Sequence, residues 1–351
     1  MRDKGTMRLL VCGGAGFIGS NFIHFLIEHQ PEVAIVCYDE LTYAGNLASL
    51  GTCLQHPHFE FVRGDINNAE LLRHILQRCS IDHVINFAAE THVDRSIFQP
   101  LSFVDTNVHG TATILETLRE VWTDPQAHRL VQVSTDEVFG SLGPHGSFDE
   151  NSAYRPNSPY SASKAAADHL VDAYHTTYGL NTVVTHCTNN YGPYQYPEKL
   201  IPYMILAALE DRPLPIYGDG QNVRDWIHVK DHCSGVWAAL TRGSTGRHYA
   251  FGSGCERTNL ELVTLLCWLL DQKLGRSAEQ ATSRLMTFIQ DRPGHDRRYA
   301  LNPSRARTEL GWEPVVDFEP GLTTTVRWYL EHREWWQPIL ERKAKLHFYH
   351  Q

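Results

Sequence analysis

Arg8-Leu9-Leu10-Val11-Cys12, followed at once by Gly13-Gly14-Ala15-Gly16-Phe17-Ile18-Gly19, reads as a buried strand, a tight turn and the opening of a helix. Gly13 permits the turn, Gly16 lets a backbone approach a pyrophosphate, and Gly19 lets helix pack on strand, while the helix N-terminus attracts the anion. A glycine triplet alone is often only a turn. Its strand–turn–helix setting makes it a dinucleotide site, with Phe17 and Ile18 opening the helix beside the ligand. Asp39 ends the next strand, where its carboxylate can accept hydrogen bonds from both ribose hydroxyls and repel a 2′-phosphate. That favours NAD over NADP, although a plain turn aspartate reads the same way. Asp65, with Ile66 beside it after the third strand, either meets the adenine amino group or caps the helix starting near Ala69.

Outward from this turn, Arg8–Cys12, Ala34–Tyr38, Phe59–Val62, His83–Phe87, Leu130–Ser134 and Thr182–Thr185 read as strands. Between them Phe17–His29, Ala69–Gln77, Leu101–Val121 and Pro159–Tyr178 carry helical periodicity. Strands alternating with such helices predict a Rossmann-type doubly wound parallel sheet, with ligands beyond the carboxyl ends of its strands. After about residue 190 prolines punctuate a loop-rich region with helices at Lys199–Leu209, Asn259–Leu274 and Gly321–His332, and Lys230–Leu240 returns to the first part. The expected organisation is an NAD-binding domain over 7–190 with a returning segment at about 225–252. A smaller, mixed α/β substrate-binding domain takes 191–224 and 253–335, and 336–351 forms a tail without a readable role. No repeat or flexible linker separates the two, so they should enclose one cleft.

Within that frame, Thr135-Asp136-Glu137 follows the fifth strand and enters a loop at the ligand-binding edge. Two solvated acids in a turn would be the plain alternative. Further on, Ser158 can cap a helix that Pro159 begins, which places Tyr160 and Lys164 on one face, one turn apart. The ammonium is then expected to lower the phenol's pKa and ready it as a base. Oxidising an alcohol needs only the tyrosine and lysine. Removing water as well means taking one proton and delivering another to a departing hydroxyl, which suits paired acids.

At 351 residues, with 42% hydrophobic and 20% charged residues, the chain has room for about two domains. A net charge of −9 without a basic stripe argues against nucleic acid as the main partner. The eight cysteines lack CxxC or zinc-like spacing and the 20 histidines are dispersed, so no metal site is expected and the thiols read as reduced and cytoplasmic. No apolar run approaches a membrane span, and the start, Met1 to Thr6, lacks a signal-peptide core.

The ordered set of motifs resembles the extended short-chain dehydrogenase/reductase family, and within it the dTDP-glucose 4,6-dehydratases. The resemblance runs from about Met7 to Tyr329 and includes GGAGFIGS at Gly13–Ser20, FAAETHVDRS at Phe87–Ser96, STDEVFG at Ser134–Gly140, YSASK at Tyr160–Lys164, NNYGPYQYPEKLIP at Asn189–Pro202, YGDGQNVRDWIHV at Tyr217–Val229 and DRPGHDRRY at Asp291–Tyr299. It implies a three-stage reaction on bound NAD. Tyr160, assisted by Thr135 and Lys164, takes the hydroxyl proton at sugar carbon 4. Glu137 then removes the acidified proton at carbon 5, and Asp136 protonates the hydroxyl leaving carbon 6. The resemblance also implies that Arg224, Arg292 and His295 bind the diphosphate of a nucleotide-sugar substrate. By the same likeness Asn189, Lys199, Leu200, Tyr217 and Asn259 line the nucleotide site and His92 lies near the glucose hydroxyls. For Arg224 the plain alternative is a salt bridge with Asp225 or Asp231, and for His92 a hydrogen bond to loop backbone. Members commonly pair through helices equivalent to Leu101–Val121 and Pro159–Tyr178, implying a homodimer built on a four-helix bundle.

Three positions depart from the family pattern: Cys12 for Thr, Thr91 for Ser, and His186 where arginine is common, the last expected to alter electrostatics near the nucleotide loop. Dehydratases of UDP-glucose or UDP-GlcNAc share nearly all these features. A nucleotide-sugar epimerase would lack use for the acidic pair, and a non-catalytic NAD-binding protein would have lost Tyr160 or Lys164.

Overall fold

The structure, a computed structural model, describes residues 7–124 and 126–348, with side chains up to 342; the charged start at 1–6 and the end of the tail lie outside the described residues. The first part runs β1 (Arg8–Cys12), α1 (Phe17–His29), β2 (Ala34–Asp39), β3 (Phe59–Arg63), α2 (Ala69–Arg78), β4 (His83–Asn86), α3 (Val93–Phe98), α4 (Pro100–Phe103), α5 (Gly110–Val121), β5 (Arg129–Val133), α6 (Pro159–Tyr178), β6 (Thr182–Cys187) and β7 (Asn189–Tyr191). It continues through α7 (Leu200–Leu209), β8 (Leu214–Tyr217), β9 (Val223–His228), α8 (Val229–Arg242), β10 (Arg247–Phe251), β11 (Glu256–Thr258), α9 (Asn259–Leu274), β12 (Met286–Ile289), α10 (Ser304–Leu310), α11 (Phe318–Glu331) and α12 (Arg333–Phe348).

Seven strands form one sheet in the order β10-β6-β5-β4-β1-β2-β3, every neighbouring pair parallel. The inner strands β1 and β2 are buried on both faces because helices cover both, whereas the edge strand β3 is only partly buried. In β1, Leu9 and Val11 enter a core with Phe22, Ile23 and Leu26 of α1. Leu10 and Cys12 point the other way, to Leu72 and Ile75 of α2 and Ile114 and Leu115 of α5. The two-residue period of a strand thus splits one short run between two cores. The strand order reverses between β1 and β4, which opens a crevice above their carboxyl ends.

The smaller part has its own core, including Ile201, Met204, Ile205, Leu262, Leu266, Phe318, Leu322 and Val326. It carries a three-stranded sheet, β11-β9-β7, and the parallel pair β12-β8. Trp335, Trp336 and Ile339 are buried in this core, so the described part of the tail is packed helix. Helix α8 lies on α1, and β10 closes the edge of the large sheet beside β6.

The single helix expected over 101–121 is broken. Pro100 opens α4, a π-helical segment follows at Val104–His109, and only then does α5 begin. Inside the π segment Asn107 Oδ1 accepts the Glu90 N–H at 2.8 Å, and its Nδ2 donates to the Glu90 carbonyl at 3.0 Å and to Ser163 Oγ at 2.8 Å. A widened turn brings that amide inward, where it joins the loop after β4 to α6. Among the described residues, no helix is long and apolar enough to cross a membrane.

Candidate active site

Gly13 ends β1 at φ +74°, and a Cβ there would lie 2.5 Å from the Ala88 nitrogen after β4, so only glycine fits. A Cβ on Gly19 would strike the Gly13 carbonyl, whereas one on Gly16 would meet only that carbonyl oxygen at 3.3 Å. Gly16 therefore keeps space open rather than relieving a clash. As N-cap of α1 it offers no side chain to the first-turn N–H groups, which leaves them for an anionic ligand. Gly13, Gly16, Phe17, Ile18, Gly19, Tyr160 and Lys164 line one cavity of about 260 Å³.

Asp39, Asp65 and Ile66 are not among that cavity's lining residues. Asp39 accepts the Ala15 N–H at 2.9 Å and the Leu41 N–H at 2.8 Å, one on each oxygen. It braces the glycine turn, and burial raises its carboxyl above the usual range against those two hydrogen bonds. Asn68, not Asp65, caps α2 by accepting the Leu71 N–H at 3.0 Å. Asp65 Oδ1 instead takes the Asn67 N–H at 2.9 Å, so the capping reading of Asp65 is wrong.

Helix α6 begins as its sequence requires: Ser158 and Ser161 form a reciprocal capping box, Pro159 occupies the first turn, and Gly179 ends the helix at φ +70°. Tyr160 and Lys164 are both buried on its inner face. The ammonium of Lys164 donates to the Val133 carbonyl at 2.7 Å. The expected lowering of the phenol by Lys164 is not found. Burial holds Tyr160 well above the usual phenol range, the nearby Glu137 charge adds to this, and the Thr135 hydroxyl works against it.

Thr135 N-caps a short turn at Asp136–Phe139: its Oγ1 accepts the Glu137 N–H and approaches Asp136 Oδ1, each at 3.3 Å. The two acids occupy different surroundings. Asp136 is buried, one of its oxygens has no hydrogen-bond partner, and burial together with the Glu137 charge raises its carboxyl well above the usual range. Glu137 is raised as well, but Arg292, Arg224 and Lys199 all favour its charged form. One acid thus holds its proton and its neighbour is the readier base.

A second cavity, about 440 Å³, is lined by all nine residues assigned to substrate: His92, Asn189, Lys199, Leu200, Tyr217, Arg224, Asn259, Arg292 and His295. Glu137, Thr91, Asn189, Glu198 and Lys199 line both cavities, so the proposed base stands where they meet. Among the described residues Asn189 Oδ1, Asn259 Oδ1 and Arg292 Nη1 are buried without hydrogen-bond partners, which fits a polar ligand. Among the described residues Arg224 has no ion-pair partner. Its Nη1 donates to the Val223 carbonyl at 2.8 Å, its Nη2 to the Asp296 carbonyl at 2.9 Å, and its guanidinium stacks 4.4 Å from the Tyr299 ring centroid. Asp225 and Asp231 are taken up by Ser253, Cys255 and Val316, which removes the salt-bridge alternative. His92 lines the cavity, and its Nδ1 accepts the Arg95 N–H at 3.2 Å as the cap of α3, a bond to backbone. His186 lines neither cavity and is buried in β6, 3.5 Å from Asp168.

Sequence reasoning passed over Asn107, Glu198 and Asp94. Glu198 stands in the PEKLIP segment, 3.7 Å from His92. Asp94 stands in FAAETHVDRS, where it faces Arg292 at 3.5 Å and the Tyr217 hydroxyl at 3.4 Å. Both motifs were visible, but a carboxylate in an anion's pocket offers no obvious role until its cation is seen.

The chain matches the family model described as GDP-mannose 4,6 dehydratase over residues 10–325. It is 49% identical over 342 residues to a dTDP-glucose 4,6-dehydratase of Xanthomonas campestris pv. campestris (strain B100), covering 96% of this chain and 97% of the relative. It superposes on the dTDP-glucose 4,6-dehydratase of Bacillus anthracis solved with NAD, with TM-score 0.86 and 47% identity over 95% of this chain and 99% of that one. The Streptomyces venezuelae dTDP-glucose 4,6-dehydratase, also solved with NAD, gives TM-score 0.87 and 46% identity over 95% of this chain and 100% of that one.

Proposed function

The chain belongs to the dTDP-glucose 4,6-dehydratase family, and we propose that its cleft converts dTDP-glucose into dTDP-4-keto-6-deoxyglucose on bound NAD. It is an NAD-dependent nucleotide-sugar 4,6-dehydratase, a hydro-lyase with no net redox change. Bound NAD would supply a hydride acceptor and donor, and the Gly13–Gly19 turn, Tyr160 and Lys164, which line one cavity, are the residues that would hold it. The observation that carries the reading is Glu137 at the meeting point of the two cavities, with Asp136 beside it on the wall of the cofactor-side cavity.

Tyr160 takes the carbon 4 hydroxyl proton, helped by the Thr135 hydroxyl and by the Lys164 ammonium fixed on Val133. Glu137, which Arg224, Arg292 and Lys199 favour in its charged form, removes the carbon 5 proton. Asp136, kept protonated by burial, protonates the departing carbon 6 hydroxyl. Arg224, Arg292 and His295 hold the diphosphate, and Gly13 to Gly19 with Asp39, Asp65 and Ile66 hold the dinucleotide. An epimerase would have no work for the two acids.

A homodimer fits the same reading. Phe98, Leu101 and Val104, close in sequence on α3, α4 and the π segment, are exposed apolar side chains, a surface suited to a second copy of the chain. A cytoplasmic setting suits eight free thiols. The test is incubation of purified protein with dTDP-glucose and no added cofactor. Formation of the 4-keto-6-deoxy product supports the reading, and NADH accumulation without that product overturns it.

A further inference from the structure

Behind the two catalytic elements lies a buried polar cluster that touches neither cavity directly. Asp168 is one helical turn beyond Lys164 on α6 and has no solvent exposure. Its Oδ2 accepts the Ser134 hydroxyl at 2.5 Å and the Tyr154 hydroxyl at 3.2 Å. Tyr154 OH is also 2.8 Å from His186 Nε2, and that nitrogen is 3.5 Å from Asp168 Oδ2.

The protons can be accounted for one by one. Tyr154 has a single hydroxyl proton, and the carboxylate is its stronger acceptor. His186 then carries its proton on Nε2 and donates to the Tyr154 oxygen, leaving a bare lone pair on Nδ1, which has no partner. That arrangement costs less than an unpaired N–H would. Asp168 Oδ2 is left receiving two hydroxyl protons and stays ionised. Burial raises its carboxyl, but His186 most strongly, then Lys164 and the Ser134 hydroxyl, bring it below the usual range, and burial lowers His186.

We propose that Asp168 is a positioning residue for the reaction: an anionic hub that clamps Ser134, and with it the Thr135-Asp136-Glu137 turn of β5, to the helix that carries Tyr160 and Lys164. Ser134 directly precedes Thr135, and its N–H is tied to the Thr185 carbonyl at 2.7 Å. With Lys164 held on Val133 and Asp168 on Ser134, the last residue of β5 and the one after it are fixed to residues one turn apart on α6. Acid, base and phenol come from two elements, so their spacing depends on that double attachment. Ser134 and Lys164 line the cofactor-side cavity while Tyr154, Asp168 and His186 do not, so any effect of the hub must pass through Ser134 and Lys164.

The inference rests on the assignment of Tyr160, Lys164, Asp136 and Glu137 given above. Asp168→Asn, Ser134→Ala, Tyr154→Phe and the Ser134→Ala/Asp168→Asn pair are compared with the wild-type full chain. The readouts are kcat, KM for dTDP-glucose, NAD released on denaturation, and thymidine diphosphate affinity by calorimetry. Asp168→Asn is expected to lower kcat about 10- to 100-fold, the cost of a small misplacement of reacting groups, with KM, NAD content and nucleotide affinity unchanged. Ser134→Ala is expected to lower kcat in the same direction, and the double variant to fall no further than the worse single one, because the second change acts through the first. An Asp168→Asn enzyme with wild-type kcat, or a double variant whose losses multiply, overturns the proposal. If Asp168→Asn fails to fold, Ser134→Ala and the isosteric Tyr154→Phe decide it, and full kcat in both overturns it. A wild-type protein that forms no 4-keto product refutes the underlying function, whereas an active wild type with an equally active Asp168→Asn refutes only the hub.

Discussion

Truncating Arg224 separates ligand binding from folding more cleanly than its burial suggests. Its guanidinium is 6% exposed, donates to the carbonyls of Val223 and Asp296, and has no ion-pair partner among the described residues. In Arg224→Ala neither carbonyl is orphaned. The Val223 oxygen keeps the Tyr299 N–H at 3.3 Å, and the Asp296 oxygen keeps the Asn222 amide at 3.2 Å. The stability loss should therefore stay near that of ordinary hydrogen bonds and lost packing on Tyr299, about 1–3 kcal/mol. Binding has no such substitute, because a diphosphate is the counter-charge the guanidinium lacks. Losing a hydrogen bond to a charged group there should cost about 1.5–3 kcal/mol, which weakens thymidine diphosphate about 10- to 150-fold. Arg224→Lys keeps the charge but loses the planar fork and should fall between wild type and alanine. The assay is calorimetric titration with thymidine diphosphate, alongside denaturant melts and measurement of retained NAD. Retained NAD should not change, since its pyrophosphate is assigned to the Gly13–Gly19 turn. A variant that lost NAD but bound thymidine diphosphate normally would refute the placement of both ligands.

Glu137→Gln should abolish exchange of the carbon 5 proton with solvent while some carbon 4 oxidation survives, and Asp136→Asn should mainly slow loss of water, each by about 10²- to 10⁴-fold; full turnover in both would mean the pair is misassigned. Tyr160→Phe should halt the reaction before any reduced cofactor forms, as followed by absorbance. Because Glu137 and Asp136 are both raised, the profile of kcat against pH should be bell-shaped. Activity falls on the acid side as Glu137 takes up a proton above the ordinary carboxylate range, and falls on the alkaline side as Asp136 finally loses its own; a flat acid limb down to the ordinary range would contradict this. Sedimentation should give twice the mass of one chain at micromolar concentration, and Leu101→Asp, placing a charge in the exposed apolar patch, should return the single-chain mass.

Short-range features decided much of this protein before any tertiary contact was considered. A strand, three glycines and an uncapped helix start are local chemistry, and so are the Ser158 cap, the N1 proline and the Tyr160–Lys164 spacing; α1, α6 and α9 run between the residues that periodicity predicts. Eight of the nine substrate residues sit in the quoted motifs, Asn259 being the exception, and all nine line one cavity. What periodicity could not foresee depends on partners far along the chain. The break at Val104–His109 answers to Glu90 and Ser163. The cap of α2 passed from Asp65 to Asn68 because only one of them reaches the free N–H. The phenol's pKa follows from burial and Glu137 rather than from its helical neighbour. Asp168, unremarkable in sequence, and His186, marked there only as a departure from the family pattern, meet Ser134 and Tyr154 only because β5, β6 and α6 pack together. Backbone geometry is local, and a linear sequence carries it openly. Charge, solvation and hydrogen-bond partnership are set by which distant groups share a buried space, and only the folded chain decides that.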